Sequence, residues 1–345
     1  MLQILQMTHA DLEAFFKNNY GKGPFLANAL YQTFYKKRNP DPWNAKAIRL
    51  SPGLAARLKK DWNMAPGEVV DWVEQEGVVK FVTQLKDGHR IETVVISMAS
   101  HLTVCVSCQV GCGRGCRFCE TAKMGLIRNL DVQEITGQVM AARRRYGKSV
   151  RNVVFMGMGE PMDNLDAVIK SIHVMNDQRG LDIALRHISL STVGVVRGIN
   201  RLAEASMPRV HLSVSLNAAD NDLRDQLMPV NRSNPLPVLK AALQRYTIDS
   251  GTGIMVNYVI IPGVNDSRDC ANQLTDWLSS LKARVNLIPL NPGETAAFQV
   301  PEENDISLFR QHLIQRGVNA QERHPRGREM MAACGQLSTG GAHSV

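Results

Sequence analysis

The run Cys105-Val-Ser-Cys-Gln-Val-Gly-Cys-Gly-Arg-Gly-Cys-Arg-Phe-Cys119 decides how this chain is read. It holds five of the seven cysteines, three of them as Cys112-x3-Cys116-x2-Cys119. Thiolates at that spacing can ligate three irons of a cubane iron–sulfur cluster. No fourth ligand follows at this spacing, so one iron is left open to a small chelating molecule. Gly111, Gly113 and Gly115 let the backbone wrap a cluster without Cβ clashes, and Phe118 would shield it from water. Structural zinc, which takes four ligands typically in two separated pairs, fits the spacing poorly. A disulfide framework belongs to short secreted chains with even cysteine counts.

The remainder of the 345 residues is ordinary in composition, long enough for one large α/β domain and a small one. No apolar run approaches a membrane span. Met1-Leu-Gln-Ile-Leu-Gln-Met7 lacks the basic start and apolar core of a secretory signal. The expected location is the cytoplasm, where thiols stay reduced and a cluster survives. A formal charge of +8 favours a polyanionic partner, nucleic acid first.

Residues 1–75 read as a small, basic helical module. Thr8 caps a helix that sets Leu12, Phe15 and Phe16 on one face. A second helix from Asn28 ends in Lys36-Lys-Arg38 ahead of Pro40 and Pro42, and a third, Leu54 to Trp62, carries Arg57, Lys59 and Lys60. These charges are either a solvated face or a contact for nucleic-acid phosphates. Two alternating runs, Val78–Leu85 and Arg90–Ser97, flank Lys86-Asp-Gly-His89 and predict a β-hairpin extension over 76–98, with Glu92 on its second strand.

From 99 to 337 short apolar strands near 101–107, 152–157, 187–192, 209–216, 254–261 and 284–289 alternate with helical stretches. Six such repeats predict an α/β fold with a parallel sheet covered by helices. If that sheet curls into a partial barrel, sites form at the C-terminal strand ends. Gly157-Met-Gly-Glu-Pro161 ends one strand. Its glycines permit close approach of backbone to a ligand, and Glu160 suits a bound ammonium. Ser189–Gly194, Ser213-Val-Ser-Leu-Asn217 and Asn291 put hydroxyls and amides at other tips, where they suit ribose and carboxylate oxygens or serve as ordinary turn caps. Cys334, in an arginine-rich segment from Arg323, suits an exposed reactive thiol, whereas Cys270 reads as a small core residue. Residues 338–345, with Gly340-Gly-Ala-His-Ser, predict a flexible tail.

Taken together, Cys105-Val-Ser-Cys-Gln-Val-Gly-Cys with Cys116 and Cys119, Gly157-Met-Gly-Glu-Pro, Leu190-Ser-Thr, Ser215-Leu-Asn, Asn291-Pro and Ala333-Cys-Gly-Gln-Leu resemble the RlmN/Cfr family of radical S-adenosylmethionine (SAM) RNA methyltransferases. The resemblance covers nearly all of the chain beyond the N-terminal module. It implies a partial (β/α)6, TIM-like barrel as the core, with the N-terminal helical domain and hairpin appended. It implies a [4Fe-4S] cluster on Cys112, Cys116 and Cys119, and SAM contacts from Gly159, Glu160, Ser191, Ser215, Leu216, Asn217 and Asn291. It also implies that Cys334 is S-methylated, that Cys105 forms a transient disulfide with it, and that Glu92 accepts a proton. The chain departs from the family pattern at Cys108, Asn217 and Met330-Met331.

The chemistry implied is methylation of an adenine ring carbon, carbon 2, in ribosomal and/or transfer RNA, with two SAM consumed per turnover. The electron comes from an external one-electron reductant such as flavodoxin, and the protein is expected as a monomer away from membranes. Electron-poor ring carbons cannot attack the SAM methyl directly, which is why a cysteine-borne methyl and a radical are needed. Alternatives are methylation at carbon 8, a radical SAM enzyme on a non-RNA substrate, and a non-catalytic iron–sulfur RNA-binding protein. The last would need neither Gly157-Met-Gly-Glu-Pro161 nor a reactive Cys334.

Overall fold

The structure, a computed structural model, describes residues 2–62, 67–205, 207–291, 293, 298–323 and 326–339. The N-terminal helices are α1 (His9–Tyr20), α2 (Pro24–Tyr35), α3 (Lys46–Arg49) and α4 (Pro52–Asp61). Thr8 and Asp11 form a reciprocal capping box that starts α1, and Gly21 in the left-handed region closes it. Leu12 and Phe16 are buried, and Tyr35 Oη donates to Ile4 O at 2.8 Å, so the module has an apolar centre of its own.

Antiparallel strands β1 (Gly67–Gln75), β2 (Val78–Leu85) and β3 (Arg90–Ser97) lead to β4 (Leu102–Cys105). A separate ribbon, β5 (Gln109–Gly111) with β6 (Leu126–Asn129), brackets the short α5 (Glu120–Lys123). The alternating part follows as α6 (Val132–Tyr146), β7 (Val150–Phe155), α7 (Leu165–Asn176), β8 (Ile188–Thr192), α8 (Val196–Glu204), β9 (His211–Ser215), α9 (Asn221–Leu227) and α10 (Leu236–Ser250). It continues with β10 (Ile254–Ile260), α11 (Arg268–Leu278), β11 (Ala283–Pro289), α12 (Glu303–Gln315) and β12 (Ala320–Glu322). All strands outside the ribbon form one sheet in the order β1-β2-β3-β4-β7-β8-β9-β10-β11-β12, parallel from β4 onward. Among the described residues no pairing joins its two ends, so this is an open, partial barrel.

All six core strands of the sequence reading are present. The helical reading of residues up to 75 is corrected over 67–75, which form β1. Val69, Val70, Trp72 and Val73 are β-branched or aromatic, and Trp72 faces Phe81 across the ladder with ring centroids 4.6 Å apart. The expected hairpin is therefore the second half of a three-stranded meander. Periodicity also missed β5, β6 and β12, each too short to show alternation, and α12. In the tail, Ser338 is held by a hydrogen bond described below, and residues 340–345 lie outside the described residues, as do Pro292, His324 and Pro325.

The charge run Arg143-Arg-Arg145 joins the module to the core. Arg144 lies 5.1 Å from the Phe34 ring and Arg145 5.7 Å from that of Trp72. The inside of the sheet is polar, unlike the branched apolar layers of a closed barrel. Asn257 Nδ2 donates to Ser213 Oγ at 2.8 Å, Asn286 Nδ2 to Asn257 Oδ1 at 3.2 Å, and Gln321 Nε2 to Asn286 Oδ1 at 2.6 Å.

Candidate active site at the C-terminal strand ends

Cys112, Cys116 and Cys119 sit on the loop from β5 to α5. Cys112 N–H donates to Gly125 O at 2.9 Å and Arg117 N–H to Leu227 O at 3.0 Å, which ties the loop to the ribbon and to α9. Gly111 has φ +74°, and a Cβ there would lie 1.9 Å from Gly125 O. Its role is closure of the ribbon, whereas Gly113 meets only ordinary contacts. Burial pushes the Cys112 thiol up to about 12 and those of Cys116 and Cys119 upward, and Cys112 and Cys116 also feel neighbouring thiols. Buried thiols close together need a metal to displace their protons. Among the described residues no three Cys, His, Asp or Glu side chains converge on a single-ion site. A cubane asks for something else, one thiolate per iron. Cys108 is buried, and its carbonyl accepts from Leu130 N–H and Asn164 Nδ2, locking it beneath the loop.

The three thiols and Phe118 line a cavity of about 150 Å³ together with Gly159, Glu160, Ser191, Ser215, Asn291 and Cys334. Gly157 and Gly159 end β7 against the segment leading into the cysteine loop. A Cβ on Gly157 would lie 2.7 Å from Val106 O, and one on Gly159 2.6 Å from Gln109 Cβ. The close approach these glycines permit is thus of chain to chain. Glu160 N–H donates to Gln109 Oε1 at 2.8 Å, and its carboxylate accepts from Met162 N–H at 3.0 Å and Val193 N–H at 2.9 Å. Burial lifts the Glu160 carboxyl to about 7 against the opposing pull of those amides.

Leu216 and Asn217 are not brought to this cavity. Both side chains are fully buried; Asn217, at φ +58°, accepts from Val259 N–H at 2.8 Å through Oδ1. The sequence reading missed Asn257, which lines the cavity together with Thr192 of the Ser189–Gly194 strand tip and Arg323 of the arginine-rich segment. Asn257 had a signal, a lone polar residue inside the apolar run Ile254-Met-Val-Asn-Tyr-Val-Ile260.

Cys334 also lines a second cavity, of about 380 Å³, with Cys105, Met156, Asn291 and Arg323. Cys105 is half-buried at the end of β4, and burial together with Cys334 pushes its thiol up to about 12. The segment carrying Cys334 is pinned on several sides. Glu120 N–H donates to Gly335 O at 2.8 Å, Thr121 Oγ1 to Leu337 O at 2.6 Å, and Asn291 Nδ2 to Cys334 O at 3.1 Å. Glu92 sits on the other side, with Oε1 3.1 Å from Lys80 Nζ and Oε2 accepting from Ser338 N–H at 2.9 Å. Burial raises the Glu92 carboxyl above the ordinary range, and Lys80 partly offsets the rise.

An open parallel sheet with a cysteine triad at its strand ends defines a radical SAM protein, and residues 106–272 match the Radical SAM superfamily. Relatives include the dual-specificity RNA methyltransferase RlmN of Nitratidesulfovibrio vulgaris, 38% identical over 98% of this chain and 94% of that protein. The dual-specificity RNA methyltransferase RlmN of Syntrophobacter fumaroxidans is 43% identical over 76% of this chain and 77% of that protein. A radical SAM methyltransferase from Sphaerobacter thermophilus superposes with a TM-score of 0.91 at 38% identity, covering 97% of this chain and 99% of that one. The chain belongs to the RlmN family and is a radical SAM methyltransferase.

Proposed function

We propose that this enzyme methylates carbon 2 of an adenine in ribosomal and/or transfer RNA through a methyl group carried on Cys334. The observation that carries the reading is the place of Cys334, on a wall shared by the cavity of Cys112, Cys116 and Cys119 and the cavity of Cys105. A [4Fe-4S] cluster on the three thiolates, with SAM at its open iron, supplies when bound the methyl group and the radical chemistry that activates it.

The chain's residues do the rest. Asn291 and the Glu120 amide hold the carbonyls of Cys334 and Gly335. Glu92, with its raised pKa, is suited to take the proton lost from the ring carbon. The Cys105 thiolate then attacks the Cys334 sulfur. An S–S bond forms as the C–S bond breaks, and the electron pair leaves with the base, whose new carbon takes a proton to become the methyl group. An external thiol reductant resets the disulfide.

RNA as substrate is supported by charge at the N-terminal mouth of the sheet. Burial, then Arg151, Arg186, His211 and His101, hold the His187 imidazole below its ordinary pKa. Next to them opens a cavity of about 680 Å³ lined by His211, Lys282, Arg284 and Arg323, with no acidic residue among the described residues that line it. Arg323 and Met156 also line both cavities above, so the mouth leads toward Cys334. The test is Cys105→Ala. Protein should accumulate as a covalent adduct with RNA, reduced by nuclease to one modified nucleotide on Cys334, and nucleoside mass spectrometry of wild-type product should give 2-methyladenosine. Free turnover of Cys105→Ala, an adduct on Cys108 or Cys270, or 8-methyladenosine would each refute its part of the reading.

A further inference from the structure

Arg224, on α9, is fully buried. Its guanidinium donates to Leu216 O at 3.0 Å, Val193 O at 2.7 Å, Ser215 O at 3.4 Å and Asn231 Oδ1 at 2.8 Å. Every one of these acceptors is neutral. Among the described residues no carboxylate forms an ion pair with it, and the half-buried Asp225 beside it is engaged by Asn231 Nδ2 at 2.6 Å. Neutral oxygens satisfy the donors but do not cancel the charge, and buried charges are ordinarily paired or next to a metal centre. The fold points to where the missing anion belongs. Arg117 N–H of the cysteine loop donates to Leu227 O of α9, and a Cβ on Gly115 would touch Pro229 at 3.6 Å. Val193 and Ser215, whose carbonyls Arg224 grips, line the same cavity as Cys116. The carbonyls that Arg224 grips end β8 and β9, the strands that present Ser191 and Ser215 to the cavity.

We propose that Arg224 is the built-in counter-charge of the iron–sulfur cluster, favouring uptake of the electron from the external donor while it braces the strand ends beside SAM. The proposal rests on the assignment of the cluster to Cys112, Cys116 and Cys119. A cubane with three thiolates carries one net negative charge when oxidised and two after accepting one electron. A fixed cation favours the second form, and net charge and hydrogen bonding are what set such potentials. The same logic makes Arg224 costly in the metal-free protein and stabilising in the loaded one.

The test is a spectroscopically monitored one-electron titration of the anaerobically reconstituted full-length protein, with iron content measured in parallel. Arg224→Gln should make reduction at least tenfold less favourable, a shift of 59 mV to more negative potential for one electron. Arg224→Lys, which keeps the charge and loses most of the bonds, should stay near wild type. Asn231→Asp places a carboxylate on the same guanidinium and should shift the potential in the direction of Arg224→Gln, which covers the case where the Gln variant fails to fold. Cluster loading should raise the melting temperature less in Arg224→Gln than in wild type. Equal potentials in wild type and in the folded charge-altering variants, at full iron content, would overturn the proposal. So would Arg224→Lys falling with Arg224→Gln, which would mean that bonding alone matters. Wild type that takes up no cluster through the triad would instead overturn the underlying assignment.

Discussion

The release step should be limited by ionisation of Cys105. In the free-thiol protein, burial first and then the neighbouring Cys334 push this thiol up to about 12 from an ordinary 9.0, with Arg323 pulling the other way. In the adduct Cys334 is a thioether and contributes no charge, so burial is what remains, and three units, about a thousandfold less thiolate near neutral pH, is the upper bound. A more basic sulfur is a better nucleophile, and a Brønsted slope of about 0.4–0.5 returns roughly 20–30-fold of that loss. The net expectation is release slower than for an unperturbed thiol by up to about 30–50-fold, rising about tenfold per pH unit from about pH 7 to about pH 9. Removing the Arg323 charge (Arg323→Gln) should raise the pKa further and slow release at any one pH, leaving the slope unchanged. The assay is single-turnover mixing with RNA, quenching at intervals, and following decay of the protein–RNA adduct on denaturing gels. Adduct decay that is flat across this range, or faster in Arg323→Gln, would show that Cys105 is not the sulfur that ionises to release product.

Gly159→Ala combines a left-handed backbone with a Cβ 2.6 Å from Gln109 Cβ and 2.8 Å from its backbone N, and should cost roughly 2–4 kcal/mol in urea unfolding; adding Gln109→Ala should not restore it, since both atoms remain and the bond from Glu160 N–H is lost. Because Glu92 is raised in the folded state and acts as an acceptor when ionised, activity should fall as pH drops through a limb above the ordinary glutamate value of about 4.3. Lys80→Met, which removes the cation opposing the rise, should move that limb to still higher pH, and Glu92→Gln should abolish it. Lys282→Gln with Arg284→Gln should weaken RNA binding and flatten the logarithmic salt dependence by about 1.5, two phosphate contacts at roughly 0.7–0.9 each, as read by fluorescence anisotropy across a salt series. An unchanged slope would remove the N-terminal mouth from the RNA path.

What could be read without coordinates was local in the chain. The cysteine triad is a matter of spacing over a few residues, and the six parallel strands announce themselves as short apolar-rich stretches alternating with helical ones. Glu160, Ser191, Ser215 and Asn291 stood out as polar groups at predicted strand tips, and the structure gathers all four in one cavity. Asn217 stood out in the same way, yet its left-handed backbone turns the amide toward Val259. Nothing in the run Arg143-Arg-Arg145 names its partners; in the fold the exposed Arg144 and Arg145 lie over the rings of Phe34 and Trp72.

The rest was decided only in three dimensions. Strand β1 depends on a partner, since Trp72 has Phe81 to stack on only once β2 is in place. Cys105 and Cys334 stand 229 positions apart, a proximity that family resemblance implied but no local pattern encodes. The open sheet places one at the end of β4, and hydrogen bonds from Glu120, Thr121 and Asn291 fold the other over it. Arg224 is one cation among 40 in the sequence. Its burial without an acidic partner exists only where α9 packs against the cysteine loop, because whether a charge is paired depends on the surroundings that the whole chain builds.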